Sequence, residues 1–347
     1  MHSSSGYDAP SFDAAESPAT AVAEQPAPVR AVTTKPVVVT GAAGLVGAEL
    51  CQQLAAGGWK VRAVVRDVKK AAQRIGHLPV EIRVGDVRQV GDMRAALSGA
   101  SAIVHLAAIA IEKSGQTYAA SNTNATRVLI DSAAAEGVER FVYMSQNGAD
   151  SLSPYEFLRS KGEAQDMVRS SSLRWTSVRP SGIFWPQDEF VNVLARIVRL
   201  SPLVFPLPGG GTALFQPVSV ANVALAVVKC LEDDETWGRS FAIGGAAPLT
   251  LREMTERILV AMGASRTLVG VPVAAIRPLV AAAQRLLPYP PVTTGLLDLL
   301  ALDNVMEQND LVTHLGIRPT PFAPEELLYL RKITFSSALR SLVSGSG

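Results

Sequence analysis

The run Thr40-Gly41-Ala42-Ala43-Gly44-Leu45-Val46-Gly47 sets three glycines at GxxGxxG spacing, directly after an apolar strand-like segment and at the start of a helical period. Such a run can hold phosphate. Gly41 permits the tight turn, Gly44 lets the backbone approach a pyrophosphate, and Gly47 lets the helix lie close to the strand. The N–H groups of the helix N-terminus attract the negative charge. Ala43, Leu45 and Val46 belong to the same cradle. The strand-to-helix setting makes a dinucleotide site the expected reading, in place of glycines that serve only a turn.

The end of the second strand normally decides which dinucleotide is held. An acid there pairs with the ribose hydroxyls of NAD, and a base pairs with the 2′-phosphate of NADP. The chain supplies Val64-Val65-Arg66-Asp67. Arg66 holds the end-of-strand place and a guanidinium suits bidentate phosphate contact, so NADP is expected. Asp67, one residue later, keeps NAD open. Gly85-Asp86-Val87 follows the third strand, where a carboxylate and adjacent backbone suit an adenine edge. His105-Leu106-Ala107-Ala108 follows the fourth, and its small residues let the chain pass close to a ribose. His105 itself reads as structural, and nothing near it is spaced to bind a metal.

These residues need a frame. Pro36–Thr40, 60–65, 80–84, 102–106, 140–144 and 175–178 read as strands, with helices at 45–56, 92–97, 118–136 and 154–170 between several of them. Alternating strands and helices imply right-handed crossovers and a parallel sheet covered on both faces, the doubly wound α/β (Rossmann) architecture. After Pro180 prolines punctuate helical pieces at 190–200, 218–231, 251–262, 274–287 and 294–302. The expected organisation is a tail over 1–34 and a dinucleotide domain over 35–183, with 215–246 packing back on it. A smaller, mostly helical pocket domain follows over 184–214 and 247–335, then a tail over 336–347. Residues 1–34 are rich in Ala, Ser and Pro, with no apolar period to offset their ordering entropy.

Composition narrows the function classes. Of 347 residues, 48% are apolar and 18% charged, which supports a sizeable core, and 32 basic against 31 acidic side chains leave no excess charge for a polyanion. Nucleic acid is excluded as an expected partner. Cys51 and Cys230 form no bridging framework or metal motif and fit a reducing compartment as buried helix residues. The mean hydropathy of +0.21 raises the membrane question. The longest uncharged stretch, 200–228, carries four prolines and a glycine triplet, which would leave backbone groups unpaired in lipid. No transmembrane segment is expected. A cytoplasmic protein follows, with peripheral attachment at the inner face of a membrane as the alternative.

Together the glycine run, Gly85-Asp86-Val87, His105-Leu106-Ala107-Ala108, Ser145, Lys161 and Arg179-Pro180-Ser181 resemble the extended short-chain dehydrogenase/reductase superfamily. Phe141 to Asp150, Phe215-Gln-Pro-Val-Ser219 and Asp303-Asn304-Val305 resemble its atypical branch, which contains the nucleotide-binding accessory subunit of respiratory complex I and its bacterial relatives. The resemblance covers roughly 36–330. It implies a catalytic Asn, Ser, Tyr and Lys, at Asn122, Ser145 and Lys161, with Pro180, Ser181 and Ile183 against the nicotinamide. In that mechanism the Tyr hydroxyl moves the substrate proton, the Lys ammonium lowers its pKa and holds the ribose, and the Ser polarises the substrate oxygen.

The Tyr belongs four positions before the Lys, on the same helix face, and that position is Phe157. A ring without a hydroxyl cannot exchange a proton. Ser153-Pro154-Tyr155-Glu156 matches a capping box with Ser153 as N-cap. A helix running from there through Lys161 sets Tyr155 roughly 120° away around the axis, badly placed as a substitute.

In the second domain Phe184, Trp185, Phe190 and Phe215 are candidate pocket walls. Residues 273–287, with Arg277 and Arg285 among apolar residues and Pro278 expected to begin or kink the helix, suit either packing on the domain or an interfacial position. The first expectation is an accessory or assembly factor of a membrane redox complex whose nucleotide is largely structural or regulatory. The second is an active NADPH-dependent oxidoreductase or epimerase on an apolar small molecule, using Lys161 and Ser145 without the Tyr. A redox-sensing regulator is the third.

Overall fold

A computed structural model describes residues 34–112, 115–188 and 190–344. The tail read over 1–34 therefore lies, but for its last residue, outside the described residues. The first half alternates as β1 (Val37–Thr40), α1 (Leu45–Ala56), β2 (Val61–Val65), α2 (Val68–Ile75), β3 (Glu81–Val84), α3 (Val90–Leu97), β4 (Ala102–His105), α4 (Ala125–Ala135), β5 (Arg140–Met144), α5 (Glu156–Arg169) and β6 (Arg174–Pro180). Then come β7 (Ile183–Phe184), α6 (Val191–Leu200), β8 (Val204–Pro208), β9 (Leu214–Phe215), β10 (Val218–Ser219), α7 (Val220–Glu232) and β11 (Arg239–Ile243). The chain ends with β12 (Leu249–Thr250), α8 (Leu251–Met262), β13 (Thr267–Val271), α9 (Val273–Leu286), α10 (Thr294–Leu299), α11 (Asp310–Thr313) and α12 (Phe335–Ser344).

Seven parallel strands form the main sheet in the order β3, β2, β1, β4, β5, β6, β11. The period of two along each strand divides the core between its faces. Val37 and Val39 pack with α1 and α7 residues such as Leu50, Leu54 and Val227, while Val38 turns to Met93, Leu97 and Leu129. Every residue of β1, β4 and β5 is buried, as sheets covered on both faces require. The edge strand β3 is exposed along its length, and Glu81 there pairs with Arg62 and Arg83, charges that discourage further strand addition. A separate core built on Phe184, Leu194, Phe205, Ile258 and Leu327 underlies the C-terminal region.

Strand order reverses between β1 and β4, so the crevice beyond their carboxyl ends is the topological switch point where such sheets bind ligands. β11, not expected from the sequence, extends the sheet beside β6. Of the stretch 336–347 read as a tail, residues 336–344 instead belong to α12, with Ala338 fully buried, and the rest lies outside the described residues. The stretch 200–228 contains β8, β9 and β10 as well as the loop and helix expected. Pro278 neither begins α9 nor ends it; the helix runs on both sides of the ring.

Candidate functional site

The cradle is built by contacts that leave no room for side chains. Gly41 has φ +70°, and a Cβ on it would stand 2.9 Å from the Ala107 nitrogen, so the turn after β1 lies directly on the chain leaving β4. Gly44 N donates to Gly41 O at 2.8 Å, and Gly44 caps α1 in an extended conformation. The N–H groups of Leu45, Val46 and Gly47 occupy the first turn, where no helical carbonyl can accept them. They face out of the helix N-terminus, as a pyrophosphate needs.

Below the cradle a hydrogen-bond relay fixes the β4 end. His105 Nδ1 meets Thr40 Oγ1 at 2.8 Å, His105 Nε2 meets Thr126 Oγ1 at 3.2 Å, and Thr126 Oγ1 donates to Asn122 O. Because Thr126 gives its proton to that carbonyl, His105 donates through Nε2 and accepts through Nδ1. Burial, and secondarily the Lys161 charge, push His105 down to about 3. It is a neutral, structural histidine.

A cavity of about 370 Å³ opens beside the cradle, lined by Gly41, Ala43, Gly44, Arg66, Asp86, Val87, Leu106, Ala107 and Ala108 among others. Lys70, Arg88, Ile109 and Ser121 also line it and were not singled out from sequence. Asp67 caps α2, accepting Lys70 N at 3.0 Å. Asp86, the expected adenine partner, is instead gripped by Arg88, whose Nη2 lies 2.5 Å away and holds its carboxyl below the usual range. That leaves Arg66 and Lys70 as the cations here that form no ion pair among the described residues, Arg66 acting on Asp86 only through its charge at longer range.

Ser145, Lys161 and Asn122 are all buried but do not line that cavity. Lys161 Nζ donates to Met144 O at 2.5 Å and sits 4.6 Å from the Tyr143 ring centre; burial pushes it down to about 7. Ser145 Oγ is buried without a partner. Asn122 donates to Ile109 O and Ser160 Oγ and accepts from Ile109 N, pinning the loop that lines the cavity. It lies in a π-helical turn, 119–124, that precedes α4, so the helix read over 118–136 is two pieces.

Phe157 packs at a tilt against Tyr118, ring centres 5.9 Å apart, and the Tyr118 hydroxyl donates to Ala110 O. The capping box at Ser153 does not form. Ser153 Oγ accepts from Tyr155 N, and Tyr155, extended at φ −87° and ψ 115°, is itself the N-cap of α5. Tyr155 therefore stands outside the helix, and the 120° rotation expected between it and Lys161 does not apply. A Cβ on Gly162 would lie 2.2 Å from both Asp150 C and Ser151 N, so α5 rests directly on that turn.

Beyond β6, Asn147 N donates to Pro180 O and Ser181 N to Ile243 O, while Ser181 Oγ bonds Gln216 O. Ile183 lies in β7, paired with β10. Asn147 Nδ2 also reaches Asn304 Oδ1 and Val305 O, tying the loop after β5 to the late Asp303-Asn304-Val305 segment. The aromatic residues mostly serve the second core, with Phe184 edge-on to Phe322 and Phe190 against Phe215.

A family model described as NAD(P)H-binding matches residues 41–234. The chain is similar to the NADH dehydrogenase [ubiquinone] 1 alpha subcomplex subunit 9 of Arabidopsis thaliana, 30% identical over 63% of this chain and 56% of that protein. It is also similar to the NADH-ubiquinone oxidoreductase 40 kDa subunit of Neurospora crassa, 26% identical over 84% of this chain and 78% of that one. Among solved structures, the UDP-glucose 4-epimerase of Thermus thermophilus in complex with NAD superposes with a TM-score of 0.64 at 20% identity, over 85% of this chain and 98% of that one. That likeness is one of fold.

Proposed function

The chain belongs to the NAD(P)H-binding family, with the fold of the extended short-chain dehydrogenases/reductases, and from that premise we propose an accessory or assembly factor of a membrane redox complex whose dinucleotide, NADP(H) in preference, is largely structural or regulatory. The residues present fit a dinucleotide: the backbone cradle has no space for a Cβ, and cations line the cavity beside it. Gly41, Gly44 and the first turn of α1 would hold the pyrophosphate, Arg66 and Lys70 the adenosine end, and Lys161 the far ribose. A bound nicotinamide supplies hydride transfer in principle.

One observation carries the reading: Phe157 replaces the proton-moving hydroxyl, and the neighbouring Tyr118 hydroxyl is spent on Ala110 O. Names of the mitochondrial relatives support the complex as partner. Mass spectrometry of natively purified protein is the test. A retained dinucleotide without turnover, together with subunits of a membrane redox complex, is the expected result. A second small molecule, converted on incubation, would overturn it.

The preference for NADP(H) rests on Arg66 and Lys70, and on Asp67 being engaged as the cap of α2. Arg66→Ser combined with Lys70→Ser is expected to weaken NADPH binding about 10- to 100-fold, the worth of lost charge-assisted contacts. NADH binding should move little. Calorimetric titration with both nucleotides checks it, and equal losses for the two would refute the assignment.

A second reading, an oxidoreductase or epimerase on an apolar small molecule, is favoured by Lys161, whose pKa lies near neutral, and by Ser145 Oγ, which is buried without a partner. Such a lysine can give and take a proton at neutral pH. Any NADPH-dependent activity would then vanish in Lys161→Ala.

A further inference from the structure

A second concavity, of about 760 Å³, lies in the C-terminal region, lined by Arg199, Arg266, Arg331, Leu200, Ile333 and Phe335 among others, with no acidic residue in its wall. The three arginines come from separate segments, and each is anchored by backbone carbonyls. Arg199 Nε donates to Ile333 O and its Nη2 to Met262 O, Arg266 Nε donates to Ser201 O, and Arg331 Nε donates to Ala261 O. Among the described residues none of the three makes an ion pair. Arg266 Nη1 also donates to Ser265 O; the other guanidinium N–H groups can take phosphate oxygens, and the anchoring holds them in place for it.

Phe335 both lines this groove and begins an apolar stripe. Phe335, Leu339 and Val343, spaced i, i+4, i+8 on α12, are 58%, 50% and 68% exposed, while Ala338 and Ser341 turn into the fold. Leu203, beside the groove residue Pro202, is exposed as well. The segment after α9 is bonded to the end of α12 through Tyr289 N and Leu342 O. In α9 no residue is buried, and Leu279 and Leu286 stand in solvent. Scattered exposed leucines need no explanation, but a helical stripe continuous with an unpaired cationic groove does.

We propose that this face docks on the surface of an anionic phospholipid bilayer, the arginines taking headgroup phosphates and the α12 stripe entering the acyl boundary. Charge complementarity selects this occupant: three fixed cations beside apolar side chains match a layer that presents phosphate above hydrocarbon. Among the described residues no helix is long and apolar enough to cross a membrane, so the attachment is to the surface. The inference goes beyond the dinucleotide reading and does not rest on it.

Flotation of the full chain with protein-free, nucleotide-free vesicles tests it. With equal parts phosphatidylcholine and phosphatidylglycerol the protein should float and be released by salt; with phosphatidylcholine alone it should stay at the bottom. Arg266→Gln with Arg331→Gln should lower the partition coefficient about 25-fold, roughly fivefold per arginine near a charged surface. Phe335→Ser, Leu339→Ser and Val343→Ser, which touch no core, should release the protein, with melting curves confirming that each variant is folded. Equal binding to both vesicle types, no binding to either, or unchanged binding of the stripe variant would overturn the proposal. So would a dimer in sedimentation that the stripe variant breaks while vesicle binding is absent, because the face would then be covered by a second copy.

Discussion

Gly47→Ala is expected to cost about 1–3 kcal/mol of stability and to weaken dinucleotide binding at least about 100-fold. A Cβ on Gly47 would stand 2.2 Å from Gly41 O and 2.7 Å from Ala42 Cα, both backbone atoms, so no side-chain rotation relieves it. Nor can the turn retreat, because Gly41 is already against Ala107 N on its other side. The cradle is wedged between α1 and the chain leaving β4, and pushing one side moves the N–H groups that would face a pyrophosphate. Gly91→Ala is the control. It lies in α3 with open space around its Cβ position, and should stabilise by about 0.5–1 kcal/mol through helix propensity alone. Thermal melts and calorimetric titration separate the two effects, and a Gly47→Ala protein that binds like the wild type would refute the wedge.

That wedge was partly legible. The GxxGxxG spacing and its strand-to-helix setting are local, so the three glycine roles follow from adjacent residues. Ala107 is 66 positions from Gly41, and its part could only be guessed from small residues after the fourth strand. The same limit explains β11. Arg239–Ile243 alternates too briefly to declare itself, and becomes a strand because β6 offers a free edge.

The start of α5 departs from its local pattern. Ser153-Pro154-Tyr155-Glu156 has the residues of a capping box, but the Ser153 hydroxyl accepts from Tyr155 N, two residues on, and Tyr155 itself caps the helix. Phe157 at the Tyr place was readable from spacing, whereas its partner Tyr118 was not, being 39 residues away. The arginine groove was invisible for the same reason: Arg199, Arg266 and Arg331 fall in three distant segments, and each alone resembles a helix-end cation.

Lys161 brings stability and function into opposition, and a single substitution should separate them. Its ammonium is buried against Met144 O and the Tyr143 ring, and burial pushes its pKa from the ordinary 10.5 down to about 7. Between those values the unfolded chain binds the proton and the folded chain does not, so folding stability rises with pH across that window, by up to about 1.4 kcal/mol per pH unit. Below pH 7 both states are protonated, and the cost of the buried charge is constant. The slope therefore belongs above neutrality, away from His105, whose depressed pKa gives stability present above about 6.5 and lost as pH falls toward 3. Lys161→Met keeps the length and apolar stem while removing the titrating group. Urea unfolding at a series of pH values should show the rise above pH 7 in the wild type and its loss in the variant, which should equal or exceed the wild type in stability near pH 6. If Lys161 takes the far ribose as proposed, dinucleotide affinity should fall about tenfold in the same variant, the ribose losing a donor. A variant that kept the pH slope would show that Lys161 is not its source, and one that kept full affinity would remove Lys161 from the nucleotide site.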